Sequence, residues 1–406
     1  MTDDAKGYHK VSEALYFLIF AFSISIISLQ VLMTDIIDNF SLTGSTQAML
    51  PSMFLLGGTF SVLLMPFMKG RISKAFTMAV SSCVMTGLMA LIGFSPSLIW
   101  AATLCLLLGL FAGWVDSYTN SSIVDIHKVN SRKYVGYLHA SFCIGAMGLP
   151  MLIHFLMKMG FDWRKVCFVS ALIMGLIAFK FIRTTSQNKD QINADSAEPK
   201  LSFKEIKTFA KDKFYIAMVL CYSFFCLSQN GVSIWLFHYT RTVHPNVEIL
   251  ASFIVSAFWL GSFISRLVYY RIKVNTMKLF ICGITISIAA HITGILSNSP
   301  VLFLIMIFVM SLSSGFGFPS LVNETLTHYR GNTTMALTGL HFGGKLGAFI
   351  MPLIMGAVAV FNIHLAMLIN DIAAAVAIAS ALAAIYLMKK STNNMLGRIK
   401  PIKVGA

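Results

Sequence analysis

The chain has 406 residues and a formal net charge of +15, yet 57% of its residues are hydrophobic and only 12% are charged. A soluble domain carries about 25% charged residues, so this composition excludes an ordinary water-soluble domain. The mean hydropathy of +0.76 and the grouping of apolar residues into runs of 20 or more predict an integral membrane protein.

Twelve apolar runs are each long enough to cross a hydrocarbon core of about 30 Å. Backbone groups inside lipid find no water, and barrel strands would be about ten residues long with alternating polarity, so these runs are predicted to be helices. The expected fold class is therefore all-α, with twelve transmembrane helices. In chain order the predicted spans are 14–37, 47–68, 75–94, 98–124, 133–157, 163–183, 214–240, 249–270, 276–296, 300–324, 333–359 and 362–388.

The basic residues lie mainly on one side of the predicted membrane. With the N-terminus in the cytoplasm, cytoplasmic segments hold 25 of the 31 Lys and Arg, outer loops hold four, and two lie within spans. This positive-inside pattern predicts that both termini are cytoplasmic. Topology thus explains the net charge, and no nucleic-acid partner is expected. In a bacterium the protein would reside in the cytoplasmic (inner) membrane.

One long polar segment, 184–213, separates two sets of six spans. Its composition is typical of a flexible cytoplasmic linker. The predicted organisation is a six-helix bundle over 1–183, this linker, a second six-helix bundle over 214–390, and a cytoplasmic tail over 391–406. The other connections are short, which makes successive helices antiparallel neighbours and leaves no room for a soluble catalytic domain.

The two halves repeat each other at an offset of 202 residues. The segment 138–150, LHASFCIGAMGLP, returns as 340–352, LHFGGKLGAFIMP, with Leu, His, Gly, Ala and Pro in register. The same offset pairs Gly113 with Gly315. Two similar halves predict pseudo-symmetric bundles. In a membrane protein, this arrangement is typical of a transporter whose site lies between the halves.

Acidic residues inside spans are candidates for function, because a charge in lipid costs a few kcal/mol. Asp116 and Asn120 lie four residues apart and share one helix face. A carboxyl group away from water can be neutral near physiological pH, so Asp116 can carry a proton or accept bonds from substrate hydroxyls. Asp35 is the second proton-coupling candidate, with Gln30 nearby as a substrate ligand. A structural hydrogen bond for Asp116 and an interfacial carboxylate for Asp35 are the alternatives.

Basic residues inside spans form a second group. His139 and His341 occupy matching places in the repeat and can relay protons or bind substrate, although a packing role is the alternative. Lys345 stands where the first half has Cys143, so it either pairs with a carboxylate or binds an anionic group of the substrate. Arg266 lies close to the basic loop residues of its half, which favours a structural role.

The seventh span offers amide and aromatic groups of the kind that hold sugars: Gln229, Asn230 and Trp235. Helix–helix hydrogen bonding and interfacial anchoring are their alternatives. The seven Cys lie singly without metal-ligand spacing, so no metal or other cofactor is expected. No H-E-x-x-H, P-loop or G-x-S-x-G is present, which disfavours an enzyme and an ATP-driven pump.

Together these features resemble the major facilitator superfamily over essentially the whole chain. The resemblance rests on twelve spans, a central cytoplasmic loop, and a loop between the second and third spans that carries Gly70, Arg71 and Lys74. Further motifs resemble the fucose-permease-like branch of that superfamily. They are Gly113-x-x-Asp116-x-x-x-Asn120, Leu138-His139-x-x-Phe142-x-x-Gly145, Pro150, Trp163-Arg164, Gly261-x-x-x-x-Arg266 and Leu340-His341-Phe342-Gly343-Gly344.

The resemblance to that branch implies roles for particular residues. Acidic residues on its first and fourth helices serve proton coupling and sugar binding, and Asp35 and Asp116 occupy the matching positions here. Asn120 matches an asparagine near the second acid. The chain departs from the branch in two places, with Asp instead of Glu on the fourth helix and with Lys345 inside an otherwise Gly-rich motif.

The predicted function is proton-coupled secondary transport of a small polar solute, sugar-like or a related metabolite, by alternating access. The protein is expected to act as a monomer whose partners are this solute, protons and membrane lipids. The first alternative is a proton-driven efflux antiporter for drugs or metabolites, which the 24 Met residues suit. The second is an organic-anion carrier that uses Lys345, and the third is a receptor that transports nothing.

Overall fold

A computed structural model describes residues 3–68, 71–127, 131–187, 209–245, 248–269, 271–297, 299–329 and 333–396. These ranges contain helices and turns but no strand. The predicted linker core 188–208, the loop residue Gly70 and the tail beyond 396 lie outside them. The helices are α1 (Asp3–Val31), α2 (Met33–Phe40), the 3-10 helix η1 (Gly44–Ala48), α3 (Met49–Met68), α4 (Lys74–Gly93), α5 (Leu98–Ile126), α6 (Ser131–Lys158), α7 (Trp163–Ser186), α8 (Lys213–Val243), α9 (Glu248–Tyr269), α10 (Thr276–Leu296), α11 (Pro300–Ser314), α12 (Gly317–His328), α13 (Thr333–Ala359) and α14 (Ile363–Leu396).

Twelve segments of the described chain are long and apolar enough to cross a membrane, which confirms the predicted fold class. Two spans are composite, because η1 continues into α3 and α11 into α12. The first predicted span, 14–37, is corrected. The structure places that span at Tyr8–Val31, so Asp35 lies in the separate short helix α2 beyond its end.

Successive helices run antiparallel, so their ends gather at two faces of the molecule. At one face, here called the terminal end, the start of α1 lies beside the end of α5. Ser12 Oγ and His127 Nε2 are 2.7 Å apart there. The opposite face, here called the far end, carries α2, η1 and the start of α9.

The helices pack in the same pairs in both halves. In the first half α1 packs on α6, α3 on α5, and α4 on α7. The corresponding pairs in the second half are α8 on α13, α9 on α11, and α10 on α14. The halves meet where α6 packs on α9 and where α3 packs on α13. The repeat in the amino-acid sequence is therefore a repeat in helix packing.

Close helix crossings explain why glycines recur at matching positions in the two halves. Gly113 of α5 lies so close to α3 that a Cβ would overlap Ser61 Oγ. Its counterpart Gly315, which ends α11, meets Ser265 Oγ of α9 in the same way. Small residues let membrane helices approach closely, so each half keeps glycine at this crossing.

The long repeated segment has the same basis. Gly145 of α6 faces Ser23 Oγ of α1, and Gly347 of α13 faces the Ser223 carbonyl of α8. The first crossing joins α1 to α6 within the first half, and the second joins α8 to α13 within the second half. Pro150 and Pro352 follow in each half, inside α6 and α13 respectively.

The crossing of α3 and α5 makes a stability prediction. A Cβ on Gly109 would overlap the Phe54 carbonyl oxygen, so we expect Gly109→Ala to force the helices apart and lower Tm. Overpacking of this kind costs about 1–3 kcal/mol. Thermal unfolding of the detergent-solubilised protein measures the effect. The matched control is Gly87→Ala, because nothing lies within 4 Å of the Cβ position of Gly87. Equal Tm values for the two variants would contradict this packing.

Candidate functional site

Asp116 of α5 and Lys345 of α13 join the two halves inside the molecule. Lys345 Nζ lies 3.8 Å from Asp116 Oδ2, and the two side chains are 24% and 26% exposed. At 1.5 Å per residue they stand roughly 15 and 18 Å from the terminal ends of their helices. Charged side chains that keep a quarter of their surface accessible at this depth border an open space between the halves.

Asn120 orients the Asp116 carboxylate. Its Nδ2 donates to Asp116 Oδ1 at 2.9 Å and to the Asp116 carbonyl at 2.8 Å. On the other side the lysine ammonium lies beside Gly58 of α3, where a Cβ would be 3.8 Å from Lys345 Nζ, in ordinary van der Waals contact. The shared face of Asp116 and Asn120, and the pairing of Lys345 with a carboxylate, are therefore observed.

The two histidines of the repeat flank a single aromatic ring. Phe318 of α12 lies 5.4 Å from the His139 ring and 6.3 Å from the His341 ring, measured between centroids. Tyr222 of α8 lies 6.1 Å from His341. The structure thus brings His139 and His341 together from opposite halves. Neither Phe318 nor Tyr222 is among the site residues expected from the sequence, although the Gly-rich break between α11 and α12 marks the position of Phe318.

Arg266 contacts the opposite half of the molecule, whereas the sequence suggested a contact with the basic loops of its own half. It lies in the last turn of α9, and helical side chains tilt toward the start of their helix, so the guanidinium reaches back from the terminal end. Its Nη1 donates to Cys143 Sγ of α6 at 3.4 Å. Its Nε is buried without a hydrogen-bond partner among the described residues.

The predicted ligands on α8 separate into two groups. Gln229 accepts a hydrogen bond from Ser314 Oγ at 2.9 Å, and Asn230 donates to the backbone of its own helix. Both side chains are partly accessible. Trp235 is 0% exposed and donates Nε1 to the Pro352 carbonyl at 3.2 Å. Trp235 therefore packs α8 against α13 in this conformation, and its role as a substrate ligand stays a prediction.

Asp35 and Gln30 lie at the far end, away from Asp116. Arg241 of α8 reaches both carboxylate oxygens of Asp35 at 3.3 Å, and Gln30 accepts a hydrogen bond from Ser233 at 3.3 Å. Further far-end contacts between the halves are Thr34 with His238 at 3.1 Å, Ser252 with the Pro150 carbonyl at 3.2 Å, and Ser256 with the Met147 carbonyl at 2.7 Å. Gln30 is only 2% exposed in this conformation, where it joins the two halves, and its role as a substrate ligand stays a prediction.

Polar pairs at the terminal end have a different distribution, because they join helices of one half. Lys74 and Asp125 form a 2.6 Å ion pair in the first half. In the second half, Thr276 donates to Glu324 at 2.5 Å, and Tyr329 donates to Asp212 at 2.6 Å. Among the described residues, the polar contacts between the two halves therefore gather at the far end.

Comparison with known proteins adds a family and a shared fold. A model of the Major Facilitator Superfamily matches residues 15–272, more than half of the chain. A multi-drug resistance efflux pump PmrA homolog of Lactococcus lactis subsp. lactis (strain IL1403) is 24% identical over 256 residues, which cover 62% of this chain. The chain spans 62% of the length of that curated relative.

Two solved structures share the architecture over nearly the whole chain. A peptide transporter POT in complex with sulfate has a TM-score of 0.74 at 12% identity, with 94% of each chain covered. A bacterial homolog of the human lysosomal transporter Spinster, in an inward-facing and occupied conformation, has a TM-score of 0.67 at 12% identity. That comparison covers 94% of this chain and 97% of the other. At such identities the likeness shows the fold.

The far-end ion pair makes a prediction about access. Asp35→Asn removes the charge that binds Arg241, so we expect a cysteine placed at Ser233 to react faster with a maleimide. The measurement uses a background with the native cysteines replaced by alanine. Glu13→Gln is the control, because Glu13 pairs with Lys180 at the terminal end, within one half.

The same assay has a defined dependence on pH. Burial raises the pKa of Asp35 more than the neighbouring Arg241 lowers it. The ion pair exists while Asp35 is ionised, so it is lost as the pH falls through this raised pKa. The rate ratio between the Asp35→Asn and Asp35 backgrounds should therefore approach one on acidification. A ratio of one at every pH would show that the pair does not hold the far end closed.

Proposed function

The chain belongs to the Major Facilitator Superfamily, and from this premise we propose that it is a proton-coupled secondary transporter of a small polar solute. It works by alternating access, with the two halves rocking about the space beside Asp116. The observation that carries the proposal is the Asp116–Lys345 ion pair, which links α5 of one half to α13 of the other.

Protonation supplies the coupling. An ion pair inside a protein is worth on the order of a few kcal/mol, which is the size of the differences between conformations of a transporter. When Asp116 takes up a proton, its attraction to Lys345 is lost and the link between α5 and α13 weakens. Charge on one carboxyl group thereby controls whether the halves are held in one arrangement. Protonation of Asp35 likewise removes its attraction to Arg241 and weakens the link between the halves at the far end.

The solute binds between the halves, at the level of the ion pair. Asn120 and Lys345 supply polar groups from facing helices, and His139 and His341 add ring nitrogens around Phe318. Gln229 and Asn230 extend the polar surface along α8. This mixture of amides, histidines and aromatic rings suits a small polar metabolite, and the resemblance to the fucose-permease-like branch favours a sugar-like one.

The positive-inside distribution supports placing both termini in the cytoplasm. In that orientation the terminal end faces the cytoplasm, and we propose that the conformation is inward-facing, like that of the Spinster homolog. We propose that the segments 1–183 and 214–390 move as two bodies joined by the linker. A single copy carries out the cycle, because the ion pair, the histidines and the far-end contacts all come from one chain.

Export is the second candidate direction. The relative from Lactococcus lactis is named an efflux pump, and the same Asp116 switch drives antiport when the proton and the solute bind in alternation. Transport assays in vesicles of known orientation distinguish the two. In symport the solute and protons move together, and in antiport they move in opposite directions.

The role of Asp116 has a direct test. A thermal-shift screen of sugars, acids and amines first identifies a solute, and proteoliposomes with an imposed pH gradient then measure its accumulation. We expect Asp116→Asn to abolish accumulation while keeping solute exchange without a gradient, because only the proton-dependent step is lost. Glu13→Gln is the matched control, since this carboxylate is 46% exposed in a surface ion pair. Unchanged accumulation by Asp116→Asn would rule out the coupling role.

A further inference from the structure

Arg266 is a half-buried cation whose Nε is fully buried, and it has no counter-charge among the described residues. Its Nη1 bonds only the weakly polar Cys143 thiol, and its Nε has no partner. Desolvating a guanidinium is expensive, and proteins normally compensate it with a carboxylate or phosphate. The side chain also lies within electrostatic range of His139 and Tyr222, the two groups that flank the space beside Asp116. The missing partner therefore belongs to that space.

The acidic side chains described in the structure all have other positions. Asp116 is paired with Lys345, and the remaining ones lie elsewhere: Glu13 on Lys180, Asp35 on Arg241, Asp38 exposed at the far end, Asp125 on Lys74, Asp162 capping α7, Asp212 on Tyr329, Glu324 on Thr276 and Asp371 on His291. Among the side chains that the structure describes, the space between the halves thus holds two cations against one carboxylate, which is one negative charge too few.

An anion that entered this space would compete with Asp116 for Lys345. The Asp116 carboxylate pairs with the Lys345 ammonium only while Asp116 is ionised. Once Asp116 binds a proton, Lys345 is released and faces the solute together with Arg266. A proton and an anion therefore favour each other's binding, which is the linkage that symport requires. One proton and one negative charge cross together, so the step is electroneutral.

The far end carries a matching surface. A cavity of about 280 Å³ lies between α6 and α8 and is lined by His154, Lys158 and Arg241, together with three apolar side chains. His154 and Lys158 belong to the first half and Arg241 to the second, so the cavity lies at the far-end boundary between the halves. Lys158 gives this cavity a positive charge beside the Arg241–Asp35 pair, and a positive charge raises the local concentration of anions.

From these observations we infer that Arg266 and Lys345 together bind the acidic group of the transported solute, and that the substrate is a small organic anion. This inference rests on the proposed function and deepens it, because it names the substrate class of the same site. A planar guanidinium and a point-like ammonium bind carboxylates through charge-assisted hydrogen bonds. Neutral sugars and amines of the same size lack the charge that the site is missing.

Matched solutes test the inference. Gluconate, glucose and glucosamine share a six-carbon skeleton and differ in charge; lactate and succinate are compared with lactamide and succinamide. All are added to the purified full-length protein at matched ionic strength. We expect at least one anion, and none of the neutral or cationic partners, to raise Tm. If only neutral or cationic solutes raise Tm, or if no anion does, the inference is overturned.

Substitutions then locate the site. Arg266→Gln and Lys345→Gln should each weaken binding of the stabilising anion by roughly tenfold or more, since each removes a charge-assisted bond. Arg183→Gln is the matched control, because this arginine is exposed on α7. An anion-induced shift that survives Arg266→Gln overturns the assignment.

The dependence on pH separates the linkage from simple charge attraction. Binding should strengthen on acidification in the native protein, and Asp116→Asn, which mimics the protonated acid, should bind equally well across the same pH range. The titratable and charged groups around Asp116 are Lys345 and His341 from α13, Tyr222 and Cys226 from α8, His139 and Cys143 from α6, and Arg266 from α9. A pH dependence that persists in Asp116→Asn assigns the linkage to one of the others and contradicts this step.

The unliganded protein offers a second readout that a structural arginine would not give. Arg266→Met keeps the length and apolar stem of the side chain but removes the uncompensated charge, so we expect Tm without solute to rise. A fall in Tm would show that the guanidinium holds α9 on α6 and would contradict a ligand role. If glucose drives proton flux that is lost in Asp116→Asn but kept in Arg266→Gln, the proposed function stands and this inference fails. Flux that no substitution at Asp116 alters would instead reject the proposed function.

Discussion

The contact between Asp116 and Lys345 governs how the other parts of the molecule relate to one another. Each charge alone would be costly inside a membrane protein, and each is accommodated only because the other lies across the boundary between the halves. Any movement that separates α5 from α13 must therefore deal with both charges. A proton on the acid, or an anion on the base, removes the difficulty. Binding at the site and movement of the two halves are therefore coupled through these two charges.

The repeat separates scaffold from chemistry. Glycines at the helix crossings are retained in both halves, because Gly113 and Gly315 allow the same close approach. The chemical groups are not retained. The offset of 202 residues places Phe318 at the position that corresponds to Asp116, and Lys345 at the position of Cys143. Duplicated packing therefore builds a symmetric framework, and substitution at a few framework positions supplies charges of opposite sign to opposite walls.

Contacts at the far end differ in strength from those that hold each half together. Each half is held by close backbone approach along whole helices, which is costly to disrupt. Among the described residues, the far end is joined by single hydrogen bonds such as that of Gln30 with Ser233, by the ion pair of Asp35 with Arg241, and by the close approach of Gly356 in α13 to Gly44 in η1. Polar contacts of this size can be exchanged for water at low net cost. Parting of the halves at the far end must also separate Gly356 from Gly44, but it leaves the helix crossings within each half intact.

The sequence by itself determined the twelve spans, the all-α fold, the duplication and the shared face of Asp116 and Asn120. These follow from local rules: span length, the cost of charge in lipid and the helical period. Only the tertiary structure decided which groups meet across the halves. It paired Lys345 with Asp116, turned Arg266 inward and buried Trp235 against α13. Such pairings depend on how two bundles dock, and no pattern along a single helix encodes the rotation or depth of a helix in the opposite half.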